Sequence, residues 1–261
     1  MADCRGCRGA GRSRRDFLIA AGGVGLLAGL AACGGQPPAP PAVRPVALVY
    51  RGPASCSGCS ESVATLLENC PTPFRAVYCG PKEDVRLSAA SLATAKVYAQ
   101  PGGGSVESAW HRMREHAEDI RGWVKAGGHY LGFCLGAYLA AATPGFGLLP
   151  GNTSQYISTR HASVRDTDDA VVSVTWRGAR RHMFFQDGPV FKLDAGAAAT
   201  VLATYDNGEP AAVVAGCGAG RIGLVGPHPE ADKSWYTSGL ANPDGIRPDL
   251  GYDLIQTTLA P

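Results

Sequence analysis

Four short apolar runs, separated by stretches that include helical patterns, constrain this chain more than any other feature. They are "VALVY" (46–50), "FRAVYC" (74–79), "AKVYAQ" (95–100) and "HYLGF" (129–133). Apolar runs of this length suit strands buried on both faces, and strands that alternate with helices argue for a parallel sheet. "SESVATLLENC" (60–70) places Val63, Leu66 and Leu67 at helical spacing, with Ser60 as the expected N-cap. "VESAWHRMREHAEDIRGWVKAGG" (106–128) reads as one helix: Met113, Ala117, Ile120 and Val124 keep to one face, and Gly127-Gly128 ends it. "LGAYLAA" (135–141) reads as a short helix packed through its alanines.

The second half is richer in strands. "AVVSVTWRG" and "RRHMFFQ" predict a hairpin about Arg177-Gly178-Ala179-Arg180, and "TVLATY", "AAVVAGC" and "RIGLVG" follow as further strands. The run Gly216-Cys217-Gly218-Ala219-Gly220 joins two strands and opens no helix, which argues against a phosphate loop. The expected class is α/β: a mostly parallel, flavodoxin-like sheet flanked by helices, with a strand-rich C-terminal half.

Residues 1–32 read as an export signal rather than as part of the fold. Arg14-Arg15 precede an uncharged run from Phe17 to Ala32, too short for the roughly 20 residues of a membrane span. The paired arginines point to twin-arginine export. Leu30-Ala31-Ala32-Cys33 resembles a bacterial lipobox, which implies cleavage before Cys33 and acylation of its thiol; the alternative is an uncleaved anchor. Cys4 and Cys7 fall in this leader and are given no chemistry. "GGQPPAPPAVRP" then makes residues 33–45 an extended tether. The expected product is a lipid-anchored bacterial protein on the extracytoplasmic face of the membrane, its folded domain spanning 46–261. The leader carries five arginines against two aspartates, so the formal charge of +2 belongs to it and the rest is near neutral. Nothing in this balance suggests a nucleic-acid partner.

Cys134 falls between the strand 129–133 and the helix 135–141, at the carboxyl end of a parallel strand where such sheets carry their functional groups. Gly132 and Gly136 leave room for a sharp turn, so Gly-Phe-Cys-Leu-Gly reads as a nucleophile elbow with cysteine in place of serine. A helix start favours a thiolate, and the Leu135 N–H is placed for a developing oxyanion. Gly102 or Gly103 of "QPGGG" is the expected second donor. His228 follows an apolar strand with Glu230 two residues on, so the carboxylate would orient an imidazole that faces the thiol. His111, His116, His129, His161 and His182 read as surface or structural.

"GFCLG" after a strand, "PGGG" upstream and "GPHPE" downstream resemble the class I glutamine amidotransferase fold. "LVYRGPA", "QPGGG", "VKAGGHYLGFCLGAY" and "GPHPE" are similar to one branch, the N-terminal domain of some biotin-protein ligases and its free-standing bacterial relatives. "FFQDGP" (184–189) resembles that branch's segment near the pocket. The resemblance implies a triad of Cys134 as nucleophile, His228 as base and then acid, and Glu230 as orienter. It implies no cofactor and no metal, and leaves the substrate open: an amide for a hydrolase, or a small ligand for a non-catalytic domain whose pocket Tyr130, Tyr138, Phe185 and Trp235 would line.

Cys56 and Cys59 form a Cys-x-x-Cys pair after a strand and at a helix start. A structural disulfide, a redox dithiol, or a metal site with Cys79 as third neighbour are the open readings. Cys70 is expected at the far end of the helix.

Overall fold

The computed structural model describes residues 43–237 and 239–261, so the leader, Cys33 and most of the tether lie outside the described residues. Five parallel strands stand side by side: β2 (Arg75–Cys79), β1 (Val46–Tyr50), β3 (Val97–Gln100), β4 (His129–Phe133) and β11 (Gly220–Val225). Four antiparallel strands extend the same sheet: β10 (Pro210–Cys217), β9 (Ala199–Tyr205), β6 (Ala170–Trp176) and β7 (Ala179–Phe185). β5 (Gly151–Gln155) and β8 (Pro189–Leu193) pair separately. This is the expected α/β class, with its parallel core and strand-rich C-terminal half.

The pleat sorts each parallel strand between two cores. Ala47 and Val49 pack with Val63 and Leu67 of α1 (Cys59–Asn69), and with Leu254 and Ile255 of α6 (Pro248–Leu259). Leu48 and Tyr50 pack on the opposite face with Leu92 of α2 (Ala89–Leu92), Met113 of α3 (Val106–Met113), Ile120 of α4 (Ala117–Lys125) and Leu139 of α5 (Leu135–Leu139).

Two local expectations are corrected. The N-cap of α1 is Gly58, in the left-handed region at φ 82°; Ser60 lies inside the helix and its hydroxyl donates to the Tyr50 carbonyl at 2.8 Å. The single long helix is two, α3 and α4, joined by a 3₁₀ turn over Arg114–His116. Met113, Ala117, Ile120 and Val124 are nonetheless all buried, because the tighter turn still delivers both pieces to the sheet with apolar faces inward. α6 is not among the expected elements. It is held by Asp253, whose carboxylate accepts from Trp176 Nε1 at 2.8 Å and from Arg177 at 2.8 and 3.0 Å. The two hairpins form as expected, the first turning at Arg177 (φ 46°) and Gly178 (φ 82°).

Candidate active site

Cys134 follows β4 directly and takes φ 47° and ψ −104°, a conformation that costs a non-glycine residue on the order of 1–3 kcal/mol. Close packing holds it there. A Cβ on Gly136 would stand 2.0 Å from the Gln100 carbonyl oxygen, and one on Gly132 would stand 2.6 Å from the Gly136 oxygen. Both flanking glycines are therefore required by contact. The Cys134 N–H donates to the Val225 carbonyl at 2.9 Å, tying the elbow to the end of β11.

His228 comes three residues after β11. Its N–H donates to the Phe184 carbonyl at 2.9 Å, so the end of β7 sets its position. Its Nδ1 lies 2.8 Å from Glu230 Oε1. The geometry departs from the expected extended strand: residues 228–231 form a turn, closed by the Ala231 N–H on the His228 carbonyl at 3.2 Å. Burial disfavours the charged imidazole, yet Glu230 and the Cys134 thiol, acting by charge and hydrogen bonding, raise its pKa to about 10. Cys134, His228 and Glu230 are only 6, 4 and 6% exposed. The expected exposed elbow is thus a sunken one. The Cys134 thiol is 3.5 Å from the Gln186 carbonyl oxygen, which helps to cover it. Glu230 Oε2 is buried without a hydrogen-bond partner, so His228 alone answers that carboxylate.

Gly102 lies against both His228 and Cys134: a Cβ there would be 3.0 Å from His228 Cε1 and 3.7 Å from Cys134 Cβ. Gly103 abuts Leu135, with 2.6 Å between its would-be Cβ and Leu135 Cδ2. Among the described residues, the N–H groups of Gly102, Gly103 and Leu135 have no backbone acceptor outside the regular elements. Gln100 supports this segment from below, accepting from Tyr98 Oη at 2.7 Å and donating to the Ala54 carbonyl at 2.9 Å.

A cleft of about 550 Å³ opens over Cys134, walled by Gly103, Ser105, Leu135, Tyr138, Gln155 and Asp187 among others. Asp187 is the one ionisable carboxylate in that wall. Burial pushes its pKa up while the Gln155 amide, at 2.9 and 3.2 Å, holds it down. Neither Asp187 nor Gln155 stands out in the sequence, although "FFQDGP" points to the segment. Of the four aromatics, Tyr138 lines the cleft and donates to the Asp187 carbonyl at 3.1 Å. Tyr130 and Phe185 are core residues, and Trp235 packs beside the His228 ring with centroids 5.0 Å apart.

Cys56 and Cys59 are joined as a disulfide. Cys79 is not their neighbour: it is a free, fully buried thiol that packs with Tyr50 and Tyr98, on the face opposite α1. Strand alternation decides this, since Ala76 and Tyr78 take the α1 face. Cys70 is a free thiol at the end of α1. Among the described residues no group of three or more His, Cys, Asp or Glu is placed to hold a metal ion. His182, read as surface or structural, has Asp244 at 3.2 Å.

A likeness to solved structures places the fold. The structure of PurLQS from Thermotoga maritima is 17% identical with a TM-score of 0.52, covering 83% of this chain and 98% of that one. A protein from Thermoplasma acidophilum, described as one of the subunits of a GMP synthase, is 10% identical with a TM-score of 0.52, covering 81 and 93%. The fold is that of the class I glutamine amidotransferase-like proteins. Residues 46–154 match the family described as biotin-protein ligase, N terminal. No curated protein matches the chain.

Proposed function

We propose that this domain is a cysteine-dependent amide hydrolase. One observation carries the reading: a buried imidazole whose Nδ1 lies 2.8 Å from the Glu230 carboxylate borders the same point beside Gly102 as Cys134. In the proposed reaction the Cys134 thiolate attacks the amide carbon, and the oxygen takes the charge against the Leu135 and Gly103 N–H groups. His228 gives its proton to the leaving nitrogen as the C–N bond breaks, leaving a thioester on Cys134. It then takes a proton from water as that water attacks, and returns it to the departing thiolate. The net change is amide plus water to carboxylic acid plus amine. Asp187, uncompensated by any cation in the cleft wall, favours a substrate with a positively charged or hydrogen-bond-donating nitrogen at its far end. With residues 1–32 read as a lipoprotein leader and Cys33 as the lipidated residue, the hydrolase works from a lipid anchor on the extracytoplasmic face. Among the described residues no helix is long and apolar enough to cross a membrane.

The test is acylation of Cys134 by p-nitrophenyl acetate beside its alkylation by iodoacetamide, followed against pH in wild type and in His228→Ala. An imidazole that activates the thiol predicts faster alkylation at neutral pH in the wild type than in His228→Ala. Without His228 the rate should climb only through the ordinary thiol range near 8.5. Identical profiles in the two proteins would refute the reading.

A further inference from the structure

The Cys56–Cys59 disulfide faces two environments at once. Cys56 is exposed and lies in a groove of about 360 Å³ with Arg51, Glu61, Lys82 and Glu83. Cys59 is 2% exposed, and its Sγ lies 3.7 Å from the point that a Cβ on Gly102 would occupy. The same point is 3.0 Å from His228 Cε1 and 3.7 Å from Cys134 Cβ. Glycine at 102 therefore leaves the buried sulfur, the imidazole and the nucleophile around one small gap. The loop that carries the disulfide also holds the oxyanion segment. The Cys56 N–H donates to the Gly102 carbonyl at 3.0 Å, and a Cβ on Gly103 would lie 3.2 Å from Ser55 Cα and 3.4 Å from the Ala54 oxygen.

We propose that Cys56–Cys59 is a thiol-exchange site that transmits the redox state of its surroundings to the Cys134 centre through Gly102 and Gly103. The inference rests on the hydrolase reading. In the groove wall Arg51 is paired with Glu83 and Glu61, and Lys82 adds a positive charge suited to a small thiol that bears a carboxylate. In the first step that thiolate attacks Cys56 Sγ: a mixed disulfide forms, the Cys56–Cys59 bond breaks, and the electron pair leaves on Cys59. Cys59 is the first residue of an eleven-residue helix, a position that favours a leaving thiolate. A second thiolate then attacks the external sulfur, releasing Cys56 as a thiolate and the small thiol as its disulfide. Two external thiols are oxidised and one protein disulfide is reduced. Once open, the loop no longer fixes the Cys56 bond to Gly102, and the Gly103 donor loosens.

Acylation and alkylation separate this effect from damage to the nucleophile, because only acylation passes through an oxyanion. The chain is equilibrated in glutathione buffers of rising reduced fraction, its thiols are mapped by mass spectrometry, and Cys134 is then assayed with p-nitrophenyl acetate and iodoacetamide. The expected result is a disulfide that opens within the glutathione range through a glutathionylated Cys56, unlike structural disulfides, which resist that buffer. Opening should slow acylation about tenfold, a fraction of the 10²–10³ lost with a whole oxyanion donor, and change alkylation less than about twofold. Cys56→Ser should match the reduced wild type without reductant. A disulfide that stays closed in fully reduced glutathione, or acylation unchanged on opening, overturns the proposal alone. Oxidised wild type that acylates no faster than Cys134→Ala overturns it together with the hydrolase reading.

Discussion

Cys79 and Cys134 end two parallel strands, β2 and β4, at the same edge of one sheet, and they have opposite surroundings. Cys79 is sealed under the bridge to Val85, among Tyr50 and Tyr98. Burial, with a smaller contribution from Glu83, pushes its pKa up to about 12, and no imidazole reaches it. Cys134 is almost as buried, but it shares its hollow with His228 and faces a cleft. Position at the strand end is common to both and so does not make a nucleophile. The difference is supplied from the other half of the molecule: the end of β7 seats His228 and covers the thiol with the Gln186 carbonyl, and the next residue, Asp187, lines the cleft. The parallel half carries Cys134, and the strand-rich half builds its surroundings.

The sharpest way to break this comparison is to delete each thiol in turn. Cys134→Ala should lower acylation by p-nitrophenyl acetate at least about 10⁴-fold, to the level of the uncatalysed ester. Cys79→Ala should leave the rate within about twofold and cost on the order of 1–2 kcal/mol in urea unfolding, as small core truncations do. Equal losses of activity would mean that the strand end matters more than the partners. Next in size, His228→Ala strands the Glu230 carboxylate, whose other oxygen is already unpartnered. Denaturation at neutral pH should show a loss of about 3–5 kcal/mol, and Glu230→Gln should lose less.

The pH dependence of stability sharpens the same contrast. His228 titrates higher in the folded chain than the ordinary 6.5, so its contribution is complete below that value and is lost as pH rises through about 10. Thermal unfolding of the wild type should therefore weaken on approach to pH 10 more steeply than that of Glu230→Gln. The smallest effect is expected from Gly102→Ala. Its methyl would meet His228 Cε1 at 3.0 Å, a contact relieved by a shift of a few tenths of an ångström. Acylation should fall about tenfold with little change in unfolding midpoint. A midpoint that collapses would show that Gly102 is a packing residue first.

Much of the parallel half was legible because its signals are local. Apolar runs bounded by glycines located β1, β3 and β4 to within two residues, and Gly-Phe-Cys-Leu-Gly located the elbow. The His228–Glu230 pair was legible from spacing, although the turn that joins the two was not. Asp187 and Gln155 carry no local signature: they meet only because the Gln186-Asp187-Gly188 loop between β7 and β8 passes beside β5. The break at Arg114–His116 was hidden because a 3₁₀ turn preserves the apolar face that the period reports.

The sequence by itself determined the class of fold, the strand ends and the candidate nucleophile, since apolar period and turn chemistry are properties of neighbouring residues. Tertiary structure alone decided that Cys79 is closed in the core, that Asp187 lines the cleft, and that the Cys59 sulfur borders Gly102. These depend on which face of a strand a side chain takes and which distant segment packs there, and both are settled only when the whole sheet packs between its two cores.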